Sequence, residues 1–217
     1  SDLDNSNDTL ALQIEFFNVA IVDTFPYCES FEVTFDNWLQ NTWDDFDWTQ
    51  DDNGTPTNST GTSAAYDGTY YMFTESSNPQ ATGDIASLEA MFDFTNFQYP
   101  EIVFNYHMYG TNMGTLHMDI FDTIWHNDIW VMSGNQNNQW YQANVPILDY
   151  GGTEQVVIRF RGERGTGSRS DMAIDNFCFN QLTTDDIGVN SLNDGEEYFC
   201  SGAGNNISIE LENFGAL

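Results

Sequence analysis

The chain has 217 residues, a formal charge of −30 from 34 Asp and Glu against four Lys and Arg, and 15% aromatic residues. That length can bury a full core. A surface so acidic repels nucleic acid and anionic membrane and excludes both as partners. No run approaches the roughly 18 apolar residues that span a bilayer, so direct membrane insertion is not expected. All four cations are arginines, Arg159, Arg161, Arg164 and Arg169, and they fall in one segment. Acidity on this scale strains a fold by self-repulsion unless cations bind or salt screens it, which favours an extracellular setting with salt and calcium.

Residues 1–25 begin as an acidic loop in which Asp2, Asp4, Ser6 and Asp8 offer oxygens at every second position. Calcium loops use that spacing, but the EF-hand glycine and distal Glu are missing, which favours an ordinary solvated turn. Leu10, Leu12, Ile14 and Phe16 then alternate with polar or small residues, as in a half-buried strand. At 102–120, Ile102, Phe104, Tyr106 and Met108 keep period two, and Leu116, Met118 and Ile120 resume it after Gly110 and Gly114. This stretch predicts a β-hairpin deep in a two-sheet sandwich. Apolar residues nowhere repeat at three- and four-residue spacing over a long stretch, so helix should be minor. At 156–160 a strand carries Arg159 outward, and Arg161 follows it, both expected to pair with acids across the sheet. Near the end, Ile207, Ile209 and Leu211 mark one face of a further strand.

Several blocks run in a telling order. They are Phe31-Glu32, Asp36-Asn37-Trp38, Asp45-Phe46-Asp47-Trp48, Gly54-Thr55-Pro56-Thr57, Tyr70-Tyr71-Met72-Phe73 with Glu75, Tyr106-His107-Met108-Tyr109-Gly110 with Met113-Gly114, Gln139-Trp140, and Asp171-Met172-Ala173-Ile174-Asp175-Asn176. In that order they closely resemble the MAM domains of meprins, neuropilins and receptor tyrosine phosphatases. The resemblance implies an all-β, two-sheet jelly-roll sandwich at 26–180. The flanks, 1–25 and 181–217, resemble the last and first strands of bacterial cell-adhesion-related immunoglobulin-like domains, which makes the chain a piece of a longer exported protein. Two cysteines of the family pattern are absent, near Trp38 and before Phe104. Of Cys28, Cys178 and Cys200, the preferred disulfide is Cys28–Cys178, because these two bracket the domain and its terminal strands should be neighbours. Three buried free thiols are the alternative, and Cys200 is left to seek a partner elsewhere.

Similar jelly rolls often hold a structural cation where first and last strands meet. Carried over, this implies a calcium site at Glu32, Asp47 and Asp175, with Asp45, Asp67 and Asp171 as further ligands; the alternative is that the acids cap turns. His107 and His117 are too few for a zinc site and read as packed strand residues. No HExxH or GxSxG occurs, and an enzyme is not expected. Trp43 and Trp125 are the tryptophans expected to be exposed, where a sugar could stack. Arg164 and Arg169, in the Gly-rich loop, are candidates for an anionic ligand, against plain internal neutralisation. Asp8-Thr9-Leu10 and Asp122-Thr123-Ile124 resemble bacterial O-glycosylation tripeptides, with Thr9 and Thr123 as acceptors. Together these readings predict a non-catalytic, calcium-stabilised adhesion module in a multidomain bacterial surface protein. Its partners would be neighbouring domains, polysaccharide or other surface proteins. The alternatives are a carbohydrate-binding module and an accessory domain of a secreted hydrolase or metalloprotease.

Overall fold

The computed structural model describes residues 20–35, 37–182, 187–192 and 209–213. Strands β1 (Ile21–Val22), β3 (Trp38–Gln40), β6 (Ile85–Phe92), β8 (Thr115–Phe121), β9 (Trp125–Ser133) and β11 (Val156–Glu163) form one sheet. Its order is β1-β6-β11-β8-β9, with β3 also on β6. The second sheet contains β2 (Cys28–Glu29), β4 (Trp48–Asp51), β5 (Tyr71–Thr74), β7 (Pro100–Met108), β10 (Trp140–Pro146) and β12 (Met172–Gln181). Its order is β10-β7-β12-β5-β4, with β2 also on β12. The result is the expected all-β sandwich; among the described residues the only helical turn is Leu148–Tyr150.

The inner faces follow from period-two alternation. In β11, Val156, Ile158 and Phe160 are buried while Val157, Arg159 and Arg161 face outward. The core between the sheets is aromatic: Trp38 meets Phe177 edge-on at 4.9 Å, and Phe104 meets Phe160 at 4.8 Å. Such pairs add to the burial of their large surfaces.

The 102–120 stretch is not a hairpin. β7 pairs with β10 and β12, whereas β8 pairs with β9 and β11 in the opposite sheet. The turn between them carries the chain from one layer to the other. Gly114 is required there by close passage of backbones, since a Cβ on it would lie 1.9 Å from the Glu163 carbonyl oxygen.

β12 carries one extra residue, a bulge between Asp175 and Cys178, with Asn176 at φ 49°. The bulge changes which face each parity takes. Met172 and Ile174 before it, and Phe177 and Phe179 after it, all join the same core, so Ala173, Asp175 and Cys178 share the outer face. There Cys28 stands opposite Cys178, and the two form a disulfide.

The sandwich starts earlier than residue 26. Ile21–Val22 pairs in parallel with Met91 and Phe92, and Phe25 stacks on Phe97 at 4.2 Å. Beyond β12, β13 (Ile187–Leu192) and β14 (Ile209–Asn213) form a separate antiparallel pair. The acidic loop at Asp2–Asp8, Thr9 and Cys200 lie outside the described residues.

Candidate functional site

The two outer faces differ. On the β7–β12–β5 sheet, Tyr71, Phe73 and Ala173 point outward yet are buried, with Ala65 and Trp140 packed against them. The long β4–β5 connection supplies this cover. The Trp140 indole donates to the Ala64 carbonyl (3.1 Å), and the Tyr71 hydroxyl donates to the Asn53 carbonyl. His107 is sealed there too, close to Trp140 and bonded to Asn138; burial pulls its pKa down to about 4, so the ring is neutral.

The same connection is anchored by two of the predicted acids. Asp175, fully buried, accepts from the backbone N–H of Tyr66 (2.8 Å), Asp67 (3.1 Å) and Asn176 (2.7 Å). Glu32 accepts from Thr69 (2.7 Å) and Tyr70 (2.8 Å). Gly68 lies so close that a Cβ there would meet Glu32 Oε1 at 2.4 Å. Burial pushes the Asp175 carboxyl up to about 6; the three N–H groups work against this, and the nearby Glu32 charge adds to it. Glu32 and Asp175 therefore hold the same loop through its backbone N–H groups. Asp67 contributes only its backbone, and its side chain is exposed.

The other three predicted ligands are elsewhere. Asp45 accepts from Ile85 N–H at 2.9 Å, at the start of β6 in the opposite sheet, and Asp47 is exposed beside it. Asp171, fully buried, accepts from Ser76 N–H at 3.0 Å. Among the described residues no three or more His, Cys, Asp or Glu converge to hold a metal ion. The six-acid cluster is thus corrected to two carboxylates. The reason is geometric: the 45–47 turn serves one sheet and β12 the other.

Among the described residues, the outer face of the β6–β11–β8 sheet has no such covering. Register sets Leu39, Glu89, Arg159 and Asp119 in one row across it. Asp119 is fully buried under its neighbours. It accepts from Arg159 Nη2 (2.7 Å), Arg161 Nε (2.5 Å) and Asp128 N–H (2.9 Å). Burial alone would raise its pKa, but the bonds from Arg161, the Asp128 amide and Arg159 win and hold it below the usual range. Asp128 also takes His117 Nδ1 at 2.7 Å, so this histidine lies on the other sheet from His107. The Arg159 guanidinium lies 3.6 Å above the Trp125 ring, a cation–π contact that occupies one face of that indole.

Trp43 stands free at the edge of this face, 84% exposed, its turn fixed by a bond from its N–H to Asn41 Oδ1 (2.8 Å). A cleft of about 210 Å³ lies beside it, lined by Gln40, Asn41, Glu89, Met91 and Val157 among others. A second cleft that Trp43 also lines reaches Arg159 and Arg161. Both expected tryptophans are therefore on one sheet's open side. Arg164 is not: it is buried, its Nε donating to the Ser76 carbonyl at 2.6 Å, and of the two loop arginines only Arg169 is exposed. A buried guanidinium needs acceptors, and the backbone carbonyls supply them where the loop folds inward. Thr123 is exposed on the β8–β9 turn. Sequence reasoning missed Asp119; its signal was an acid at an outward strand position opposite two arginines.

Over residues 28–183 the chain matches the family of the MAM domain, meprin/A5/mu. It is 37% identical over 156 residues to MAM domain-containing glycosylphosphatidylinositol anchor protein 1 of Gallus gallus. Identity to the Homo sapiens protein of the same name is 35% over 156 residues. Each match takes in 64% of this chain but only 15% of the relative's length. Among solved structures, the K2 cleaved adhesin domain of Lys-gingipain superposes with a TM-score of 0.53. At 16% identity, covering 71% of this chain and 99% of that one, it is a likeness of fold alone. Matched across most of its length, with a sandwich of the expected kind, the chain belongs to the MAM domain family.

Proposed function

We propose that this MAM domain is a non-catalytic adhesion module of a large exported multidomain bacterial protein, and that it meets its ligand with the open face of the β6–β11–β8 sheet. The observation that carries the reading is the asymmetry just described. One outer face is sealed by the β4–β5 connection, while the other presents Trp43 beside a cleft. An exposed indole next to a groove is the kind of anchor that dominates binding energy. Placement outside the cell is supported by relatives whose names describe glycosylphosphatidylinositol-anchored proteins. Thr123, in its Asp-Thr-Ile turn, is the O-glycan acceptor in this reading, and Thr9 would be a second.

A calcium ion at the Glu32–Asp175 loop belongs to the same proposal. Two carboxylates repel there with no cation of the chain in an ion pair with either, among the described residues. Calcium accepts carboxylate and backbone carbonyl oxygens together, so two acids suffice if carbonyls complete the shell.

A second reading, carbohydrate binding, is favoured by the mixed chemistry of the cleft. Trp43 gives a sugar its stacking surface, and Asn41 and Glu89 give its hydroxyls partners. The test is binding of the intact chain and its Trp43→Ala variant to a glycan array and to immobilised bacterial and animal cells. Loss of about 10-fold or more in affinity is expected for the variant on whichever surface binds. Glycan hits support the second reading and cell binding alone the first. Equal binding by both proteins would refute this face as the ligand surface.

A further inference from the structure

Three oxygens in one buried spot lack hydrogen-bond partners: Glu75 Oε2, Ser76 Oγ and Asp171 Oδ2. Ser76 is 1% exposed and Asp171 0%. They meet where β5 ends and β12 begins. Asp171 Oδ1 accepts from Ser76 N–H at 3.0 Å, and Glu75 Oε1 accepts from Ser77 N–H at 2.9 Å, which leaves the second oxygen of each carboxylate unpaired. The hydroxyls of Thr55 and Ser76 and the charge of Glu75 all act on Asp171, which places the group together. The one buried cation nearby, Arg164, gives its Nε to the Ser76 carbonyl at 2.6 Å. Among the described residues neither Glu75 nor Asp171 forms an ion pair. Buried unpaired carboxylate oxygens are costly, and they are ordinarily neutralised or bound to a metal.

We infer that Glu75 Oε2, Asp171 Oδ2 and Ser76 Oγ are ligands of a calcium ion, at a site separate from the Glu32–Asp175 loop. The donors are all hard oxygens, with no imidazole or thiolate, which selects calcium or magnesium over transition metals. Calcium fits better, because a hydroxyl and two carboxylates flanking the ends of two strands impose no octahedral geometry. Backbone carbonyls and water would complete the shell. The site also gives Asp171 a purpose that the six-acid cluster did not.

The test is calcium stoichiometry and affinity, by equilibrium dialysis with calcium chloride and metal analysis, on the intact chain stripped of metal. Glu75→Gln is the main variant, because that side chain is only partly buried and its amide can keep the Ser77 bond; Asp171→Asn is the second. Each should bind one calcium fewer than wild type or bind it at least about 10-fold more weakly. Glu32→Gln should leave this calcium in place, which separates the inference from the cation proposed above. Full wild-type stoichiometry and affinity in Glu75→Gln would overturn it, as would a wild-type chain that binds no calcium.

Discussion

At the scale of single residues, the open sheet face depends on Asp119. Among the described residues it is the only acid on that face buried completely, and it accepts from both Arg159 and Arg161. Removing it would leave two guanidinium groups facing each other without their shared counter-charge. Breaking a buried pair typically costs about 3–5 kcal/mol. Asp119→Ala should fall near the low end, about 3 kcal/mol in urea unfolding, because both arginines retain some water contact. A loss below about 1 kcal/mol would mean that the network is ornamental, as most surface ion pairs are. The stacking of Arg159 on Trp125 should loosen in the same variant, since Arg159 would then be held only by Asn127 and the more distant Glu89. The pairing of both arginines with acids across the sheet was legible from their alternation. Which acid was not, because that requires the register of β11 against β8.

At the scale of elements, the sequence made the strands visible and left their partners open. Period two at 102–120 correctly marks two strands, but period two is the same in a hairpin and in a crossing between sheets. Only the pairing of β7 with β12, and of β8 with β11, separates the two cases. The bulge in β12 was equally hidden. In the run Met172-Ala173-Ile174-Asp175-Asn176-Phe177, simple alternation puts Asp175 on the side of Phe177 and opposite Ile174, so Ile174 and Phe177 could not both reach the core. Asn176, at φ 49°, lies in the bulge that lets both do so and leaves Asp175 outward beneath the β4–β5 connection. Asparagine tolerates that left-handed conformation and β-branched residues do not. Asn176→Gly should therefore be nearly neutral, whereas Asn176→Val should cost about 1–2 kcal/mol or more in the same unfolding assay. Equal stability of the two variants would show that the bulge does not depend on this backbone conformation.

At the scale of the whole molecule, the chain carries −30 and no lysine, and its arginines are already committed near Asp119 and Ser76, apart from exposed Arg169. The acids buried on the β12 side must find another source of neutralisation. Asp171 and Asp175 are both pushed up to about 6 by burial, and Asp44 likewise at the β6 end. Each holds its proton to a higher pH when folded than when unfolded, where an Asp titrates near about 3.9. Stability from this source is fully present below about pH 4 and is lost as pH rises through about 6. A bound cation reverses that loss by favouring the ionised form. Composition made the shortage of counter-charge plain. It did not show that the acids gather in separate places, because their positions are fixed by long-range pairing between chain ends.

The most direct measurement is thermal unfolding near neutral pH in calcium and in EDTA, for wild type and for Glu32→Gln, whose amide can still accept from Thr69 and Tyr70. At calcium about a hundredfold above Kd the metal contributes about 2.7 kcal/mol, a shift of about 5–10 °C for a chain of this size. EDTA should lower the wild-type Tm by that amount near pH 7.5. The two curves should converge near pH 5, where Asp171 and Asp175 take up protons, and Glu32→Gln should respond less to calcium. Superimposable wild-type melts with and without EDTA at neutral pH would contradict the account.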